Sequence, residues 1–350
     1  PSNQQVASGT ISPSNRTILF PRLSSSGTYL LMMDSASSPT EWVLRVERAP
    51  SIDIDGDAVD LVAGFARELR LTFSGLAGHS LGVGLSNLET SDGNWVYAVL
   101  HGPEGQHVTS TYCYPSYDGC GLNLTASETG VYSLTIAPSA HTQSMSFKTT
   151  LSTDVSGGLV RDVAQTLALS RRGQNAQLTF NATAGETLAL QVAGQVTVPT
   201  DNYVYYYVYR PDGALLTSVH VHGSTTLNLP NLPQTGDYVV WVDPENGAQL
   251  ETQLLLASGT SGGEEIDGAE GEYETTVPGQ NTYLTFSANE GQSIGIGLSS
   301  LQTSDGNWVH AALHGPEGQH VTSAWCYPSY DGCGLNLTAS ETGVYSLTIA

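Results

Sequence analysis

Positive charge is scarce in this chain. Lys148 is the only lysine, and Lys and Arg together number 11 against 33 Asp and Glu, a formal net charge of −22. Nucleic-acid binders neutralise phosphates with clustered Lys and Arg, so DNA and RNA are excluded as partners, and anionic lipid is repelled as well. No apolar run approaches the ~20 residues of a membrane-spanning helix, so membrane insertion is not expected. Charged residues make up only 13% of the chain and no segment sustains a 3.6-residue period, which argues against long surface helices. Catalytic signatures are missing too: there is no H-E-x-x-H and no phosphate-binding loop. Gly259-Thr260-Ser261-Gly262-Gly263 spells G-x-S-x-G, but in a Gly/Ser-rich joint rather than a strand-to-helix elbow. The chain is therefore read as non-enzymatic.

Cysteine is also sparse, and its placement is informative. The four residues occur as two copies of C-Y-P-S-Y-D-G-C, Cys113 to Cys120 and Cys326 to Cys333. A zinc centre needs two close pairs in one site, whereas these pairs lie 213 residues apart. Each pair is expected to close its own loop as a disulfide, with free thiols as the alternative. Closure implies an oxidising compartment, and so an extracellular or cell-surface location.

What is present is a repeat. Residues 85–137 and 298–350 align without a gap and differ at six positions only: Asn87/Ser300, Glu89/Gln302, Tyr97/His310, Val99/Ala312, Thr111/Ala324 and Tyr112/Trp325. A divergent third copy lies between them. Leu71-Thr72-Phe73 recurs as Leu178-Thr179-Phe180 and Leu284-Thr285-Phe286, and Thr129-Gly130-Val131-Tyr132 recurs as Thr235-Gly236-Asp237-Tyr238 and Thr342-Gly343-Val344-Tyr345. The module is thus about half the 213-residue offset, near 106 residues, in an alternating A-B-A order. The expected units are 1–50 (the C-terminal part of a module, from Phe20–Leu23 and Ser26–Tyr29), 51–155 (type A), 156–260 (type B) and 261–350 (type A without its last strand). On this reading the stretch begins and ends inside modules, either as a window on a longer array or with neighbouring chains completing the broken ones.

Each module reads as strands. Leu69-x-Leu71-x-Phe73, Leu81-x-Val83-x-Leu85 and Tyr132-x-Leu134-x-Ile136 alternate with period two. Pro-Glu-Gly and Pro-Asp-Gly supply tight turns, since proline fixes φ and glycine permits φ > 0. The expected fold is all-β: tandem antiparallel jelly-roll or Ig-like β-sandwich modules.

The order of these features resembles the bacterial pre-peptidase C-terminal domain. The residues carrying the resemblance are the Leu-Thr-Phe strand, Ala77-Gly78 and Ala184-Gly185, the Pro-Asp-Gly turn, and Leu-Pro-x-x-Gly-x-Tyr within Leu229–Tyr238. The resemblance implies secretion and a binding or scaffolding role beside large surface proteins or secreted enzymes, and it brings no catalytic residues.

Three surface features are candidates for contact. Val204, Tyr206 and Val208 align with Val96, Ala98 and Leu100 as core, which leaves Tyr203, Tyr205, Tyr207 and Tyr209 on the opposite face. The outer modules place Trp95, Tyr97, Val99, His101 and Trp308, His310, Ala312, His314 there. An aromatic ladder where polar residues are the norm suggests a protein or module interface, a covered structural face, or a platform for stacking sugars. The cysteine loops carry Tyr114 and Tyr117, and Tyr327 and Tyr330, as a contact surface or a plain stapled turn. Asp53, Asp55, Asp57 and Asp60 crowd one junction, and Glu264, Glu265, Asp267, Glu270 and Glu272 its equivalent. Carboxylates at i, i+2 and i+4 can share a Ca2+ ion, although the EF-hand pattern fails here because glycine falls at position four, Gly56. A solvated acidic linker is the competing reading, and no other cofactor is implied. His220 with His222, and His101 with His107, are pairs too small to complete a zinc site. Asn15, Asn123, Asn181 and Asn336 sit in N-x-T sequons.

The function expected from these features is a structural or adhesive repeat segment of a bacterial extracellular or cell-surface protein. In its sharper form the segment repeats along a filament, with copies of itself or neighbouring modules as partners. The alternative is a set of accessory modules of a secreted enzyme or toxin that bind surface glycans or another ligand.

Overall fold

The computed structural model describes residues 5–10, 18, 23, 26–34, 46, 48–65, 67–140 and 142–350. The module tail expected over 1–50 therefore falls mostly outside the described residues, Phe20–Arg22 among them. The described part of that stretch contains no strand, and regular structure begins at Val59. From there onward the described residues form an all-β protein with no α-helix.

Eight strands build the first sandwich: β1 (Val59–Ala63), β2 (Leu69–Gly75), β3 (Ser80–Thr90), β4 (Val96–His101), β5 (His107–Cys113), β6 (Cys120–Thr125), β7 (Gly130–Pro138) and β8 (Met145–Thr153). They pair into two sheets, in the orders β2-β7-β4-β5 and β1-β8-β3-β6. All of these pairings are antiparallel. The alternation in the sequence is met residue by residue. Leu71, Leu81, Leu85, Val96, Ala98, Leu100, Tyr132 and Ile136 are completely buried between the sheets.

The second sandwich repeats the plan with β9 (Val155–Gly158), β10 (Gln165–Leu169), β11 (Ala176–Ala182), β12 (Leu188–Val198), β13 (Val204–Tyr209), β14 (Leu215–Val221), β15 (Thr225–Leu229), β16 (Gly236–Pro244) and β17 (Gln249–Ser258). Its sheets run β14-β13-β16-β11-β9 and β10-β17-β12-β15. The third has β18 (Thr260–Gly263), β19 (Thr282–Ala288), β20 (Ser293–Leu298), β21 (Val309–His314), β22 (His320–Cys326), β23 (Cys333–Thr338) and β24 (Gly343–Ile349). One of its sheets is complete, β18-β19-β24-β21-β22, and the other is the pair β20-β23. Each sandwich has its own apolar core.

The repeated motifs have a common physical role. Phe73 of Leu-Thr-Phe is cross-strand partner to Tyr132 of Thr-Gly-x-Tyr, and their rings stack at 5.5 Å. The same pair recurs as Phe180 with Tyr238 at 5.3 Å and Phe286 with Tyr345 at 5.6 Å. Each tyrosine is fully buried, so its hydroxyl needs a partner, and it donates to a backbone carbonyl four residues upstream, on Glu128, Gln234 or Glu341. The motif thus closes the corner that leads into the strand.

The connections between sandwiches are short and paired. Asp154 alone separates β8, the last strand of the first sandwich, from β9, which runs parallel to β11 of the second. Gly259 alone separates β17 from β18, which runs parallel to β19. An isolated parallel bridge, Ser51 to Thr72, marks the same strap ahead of the first sandwich. The Ser-rich stretch that spells G-x-S-x-G is this strap, a strand with no helix after it.

Candidate functional surfaces

The aromatic face lies where the alternation places it. Val204, Tyr206 and Val208 are fully buried, while Tyr205, Tyr207 and Tyr209 lie half-buried on the outer face and Tyr203 is exposed. Tyr205 and His220 stack at 3.9 Å with planes 4° apart, Tyr205 and Tyr207 at 5.6 Å, and Trp241 approaches Tyr207 at 5.9 Å. Tyr203 leans on His220 and His222, and His222 is 3.3 Å from Asp201. The rings stack on and tilt against one another, forming an aromatic strip with imidazoles at one end. The outer modules carry a smaller version. Trp95 meets Tyr112 edge-on at 4.8 Å and Tyr97 packs on Tyr112 at 4.9 Å. In the third sandwich Trp308 meets Trp325 at 4.1 Å and His310 meets Trp325 at 4.5 Å. The paired differences Tyr97/His310 and Tyr112/Trp325 are thus cross-strand neighbours that changed together.

Both cysteine pairs are disulfide-bonded, Cys113 to Cys120 and Cys326 to Cys333. The oxidised state indicates an oxidising environment. The loop between is a 3-10 turn, Pro115–Tyr117, ended by Asp118 at φ 61°. The Asp118 carboxylate accepts the Asn87 N–H at 2.9 Å and ties the loop to β3. The loop presents Tyr114 and Tyr117 outward, with Tyr327 and Tyr330 as their equivalents.

The acidic junction does not converge. Asp55 turns away from Asp53 and Asp57 because it caps its own module. Its carboxylate accepts the Thr153 N–H and hydroxyl, each at 2.8 Å, from a left-handed backbone at φ 58°. Asp162 does the same for Ser258 at 2.7 Å. Asp60 lies 3.6 Å from Lys148. Among the described residues no three His, Cys, Asp or Glu side chains are grouped to hold a metal ion. The i, i+2, i+4 spacing contains a turn that latches the last strand. In the later run, Glu264 accepts the Tyr273 hydroxyl.

The most developed polar surface was not visible in the sequence reading. The turn Ser170–Asn175 of the second sandwich lies on the outer face of β3, β6 and β8 of the first. Arg172 is 7% exposed, its guanidinium donating to the carbonyls of Leu85, Val198 and Asn246, with Asp118 at 3.8 Å. Arg171 donates to Ser152 Oγ at 2.7 Å and to the Gly56 carbonyl, and Gln174 to the Thr153 carbonyl. Asn123 donates to Asp243 at 2.9 Å and accepts from Asn175 at 2.9 Å. Burial pushes the Asp243 carboxyl up to about 6, against the opposing effect of Asn123, and raises Asp154 beside it. Glycines admit this close approach: a Cβ on Gly82 would lie 1.7 Å from the Gly173 carbonyl oxygen. Glycine inside a strand marks such contacts, and the repeated Gly-Gln-Asn ahead of Leu-Thr-Phe at 173–175 and 279–281 was the available signal.

No family model matches the chain, and no curated protein matches it. The resemblance to the pre-peptidase C-terminal domain therefore stands at the level of an all-β sandwich. Among solved structures, the M60 catalytic domain with the CBM51-1 and CBM51-2 domains of Clostridium perfringens ZmpB aligns at 8% identity and a TM-score of 0.17, over 55% of this chain and 34% of that one. Lac15 from a marine microbial metagenome aligns at 11% identity and a TM-score of 0.16, over 85% of this chain and 84% of its own. Tripeptidyl peptidase 2 aligns at 10% identity and 0.20, over 86% of this chain and 27% of its own. Scores this low carry no argument about this chain.

Proposed function

We propose that the chain is a non-catalytic structural segment of an extracellular or cell-surface protein, a stiff string of sandwiches that holds contact surfaces at fixed spacing. The observation that carries this reading is the single-residue linker. Asp154 and Gly259 each join a last strand to a strap already paired with the next module, so no free chain remains between modules. Flexible linkers serve modules that must move independently, whereas paired crossovers suit a spacer. The disulfides fit the compartment. In its filament form, copies of the segment add end to end, because heterologous contacts propagate without closing.

A second reading draws support from the Tyr203–Tyr209 strip, an aromatic surface with Tyr203 exposed: the modules bind surface glycans for a larger protein. A glycan array probed with the whole chain separates the two. The spacer reading expects uniform silence; binding that disappears in Tyr205→Ala would establish the glycan reading in its place. Electron microscopy at high concentration, with Ca2+ present, checks the filament form, and discrete short particles would count against it.

A further inference from the structure

The two joints between sandwiches share a scaffold and differ in chemistry. In the first, the turn Ser170–Asn175 meets β3, β6 and β8; in the second, Thr276–Asn281 meets β12, β15 and β17. Each turn ends in Gly-Gln-Asn, with its glycine at φ 75° or 76°. Each engages an asparagine of the preceding module, Asn123 or Asn228. Around this shared core the partners change together. Arg171 holds the position of Val277, and strand register matches Ser152 and Thr150 to Ala257 and Leu255. Arg171 donates to Ser152, and the Thr150 hydroxyl donates to the Arg172 carbonyl at 2.8 Å. Val277 instead closes an apolar cluster with Ala189, Ala257 and Leu255. Exchanging the turns is unfavourable either way. Arg171 would lose its acceptors against apolar groups, and Val277 would strip water from hydroxyls without replacing it.

The third sandwich presents the β3–β6 part of the first kind of face, uncovered: its sheet here is the pair β20-β23, with no counterpart of β8 among the described residues. Gly295, Gly297, Gly334 and Asn336 correspond to Gly82, Gly84, Gly121 and Asn123. A Cβ on Gly84 would lie 2.3 Å from the Arg172 carbonyl carbon, and one on Gly121 2.7 Å from the Gly247 Cα, whereas nothing lies within 4 Å of a Cβ on Gly297. An open hollow lined by Ser293, Ile294, Gly295, Asn336, Leu337 and Thr338 marks the place. Two of its residues, Ser293 and Asn336, correspond to Ser80 and Asn123, which hold Gln177, Asn175 and Asp243 of the second sandwich. The adjoining loop agrees: Tyr117 is 53% exposed and Tyr330 80%.

We propose that this face of the third sandwich is a binding site for a B-type module, entered by an Arg-Arg-Gly-Gln-Asn turn, and that it rejects a module whose turn reads Val-Pro-Gly-Gln-Asn, as that of the third sandwich does. The joints themselves then discriminate between these two turns. The argument rests on the covered copy of the same face and does not depend on what the array contacts outside.

The test extends the full chain past Ala350, which aligns with Ala137, using its own sequence. One version appends residues 138–154 and restores the last strand; the other appends 138–260 and adds a B-type module. Hydrogen exchange is read in Ser293–Leu298 and Cys333–Thr338, and hydroxyl-radical footprinting at Tyr330. The longer extension is expected to slow exchange about tenfold beyond the shorter one and to protect Tyr330. Changing Arg171→Val and Arg172→Pro in the appended copy is expected to remove that gain. No additional protection, or equal protection with the altered turn, overturns the proposal. Two substitutions in the existing chain keep it falsifiable if the extension folds poorly. Gly84→Val is expected to speed exchange at Arg171–Asn175 about tenfold, while Gly297→Val leaves the chain's melting unchanged. Equal effects, or none from Gly84→Val, would refute it.

Discussion

The first and third sandwiches are nearly identical over 85–137 and 298–350 and have different surroundings. Gly82 and Gly84 are buried, while Gly295 and Gly297, in the same strand positions, are exposed. Asn123 is bonded on both sides, and its equivalent Asn336 is exposed. The difference teaches that a module's outer sheet face is finished by its neighbour, whereas its inner face is finished by itself. Leu100 and Tyr132 are fully buried, as are their equivalents Leu313 and Tyr345, whereas Ile349, the equivalent of Ile136, is half-buried where the second sheet is only the pair β20-β23.

The contrast yields predictions of decreasing size. The disulfides should be indifferent to it. Cys113→Ser and Cys326→Ser each open a loop of the same length, and each should cost its own sandwich about 2–3 kcal/mol. Denaturant unfolding followed by peptide-resolved hydrogen exchange checks this; a much larger loss in the first sandwich would mean that the loop draws its strength from the joint.

Acid should act on the first joint alone. Burial raises Asp243 to about 6 and raises Asp154 in the same direction, so the folded joint holds these protons more tightly than the unfolded chain does. Stability from this source is greatest below the ordinary carboxylate value, and is lost as pH rises through about 6. Moving from pH 8 to pH 5 should strengthen the joint by on the order of 1 kcal/mol. The second joint has no matching carboxylate beside Asn228, whose amide bonds the Gly279 carbonyl and the Asn281 N–H. Protease sensitivity at each crossover across that pH range measures the contrast, and Asp243→Asn should flatten most of it.

The aromatic strip should contribute least to stability. Tyr205 stacks on His220 and Tyr207 at the surface, and such pairs contribute about 0.5–1.5 kcal/mol. Tyr205→Ala should therefore shift the second sandwich's melting slightly and leave both crossovers protected from protease. A large loss would assign the strip a structural role in place of a contact surface.

Much of the interior was legible in the sequence. Period-two alternation located the strands, because a half-buried strand must alternate. Val204, Tyr206 and Val208 could be assigned to the core by alignment with Val96, Ala98 and Leu100. The cysteine spacing was short enough to indicate local closure. The latch at the acidic junction was not legible because Asp55 finds its partner, Thr153, 98 residues away, and local spacing says nothing about such a partner. Arg171 and Arg172 carried no signal in the sequence, since partners of both lie on the neighbouring module.

The amino-acid pattern on its own determined the module, its core and its stapled loop, all of which depend on contacts made within about a hundred residues of chain. Only the tertiary structure decided which glycines are notches, which arginine is buried and which aspartate binds a proton more tightly than usual. Those properties belong to faces where two modules exclude water together, and a face carries no signature until its partner's shape is known.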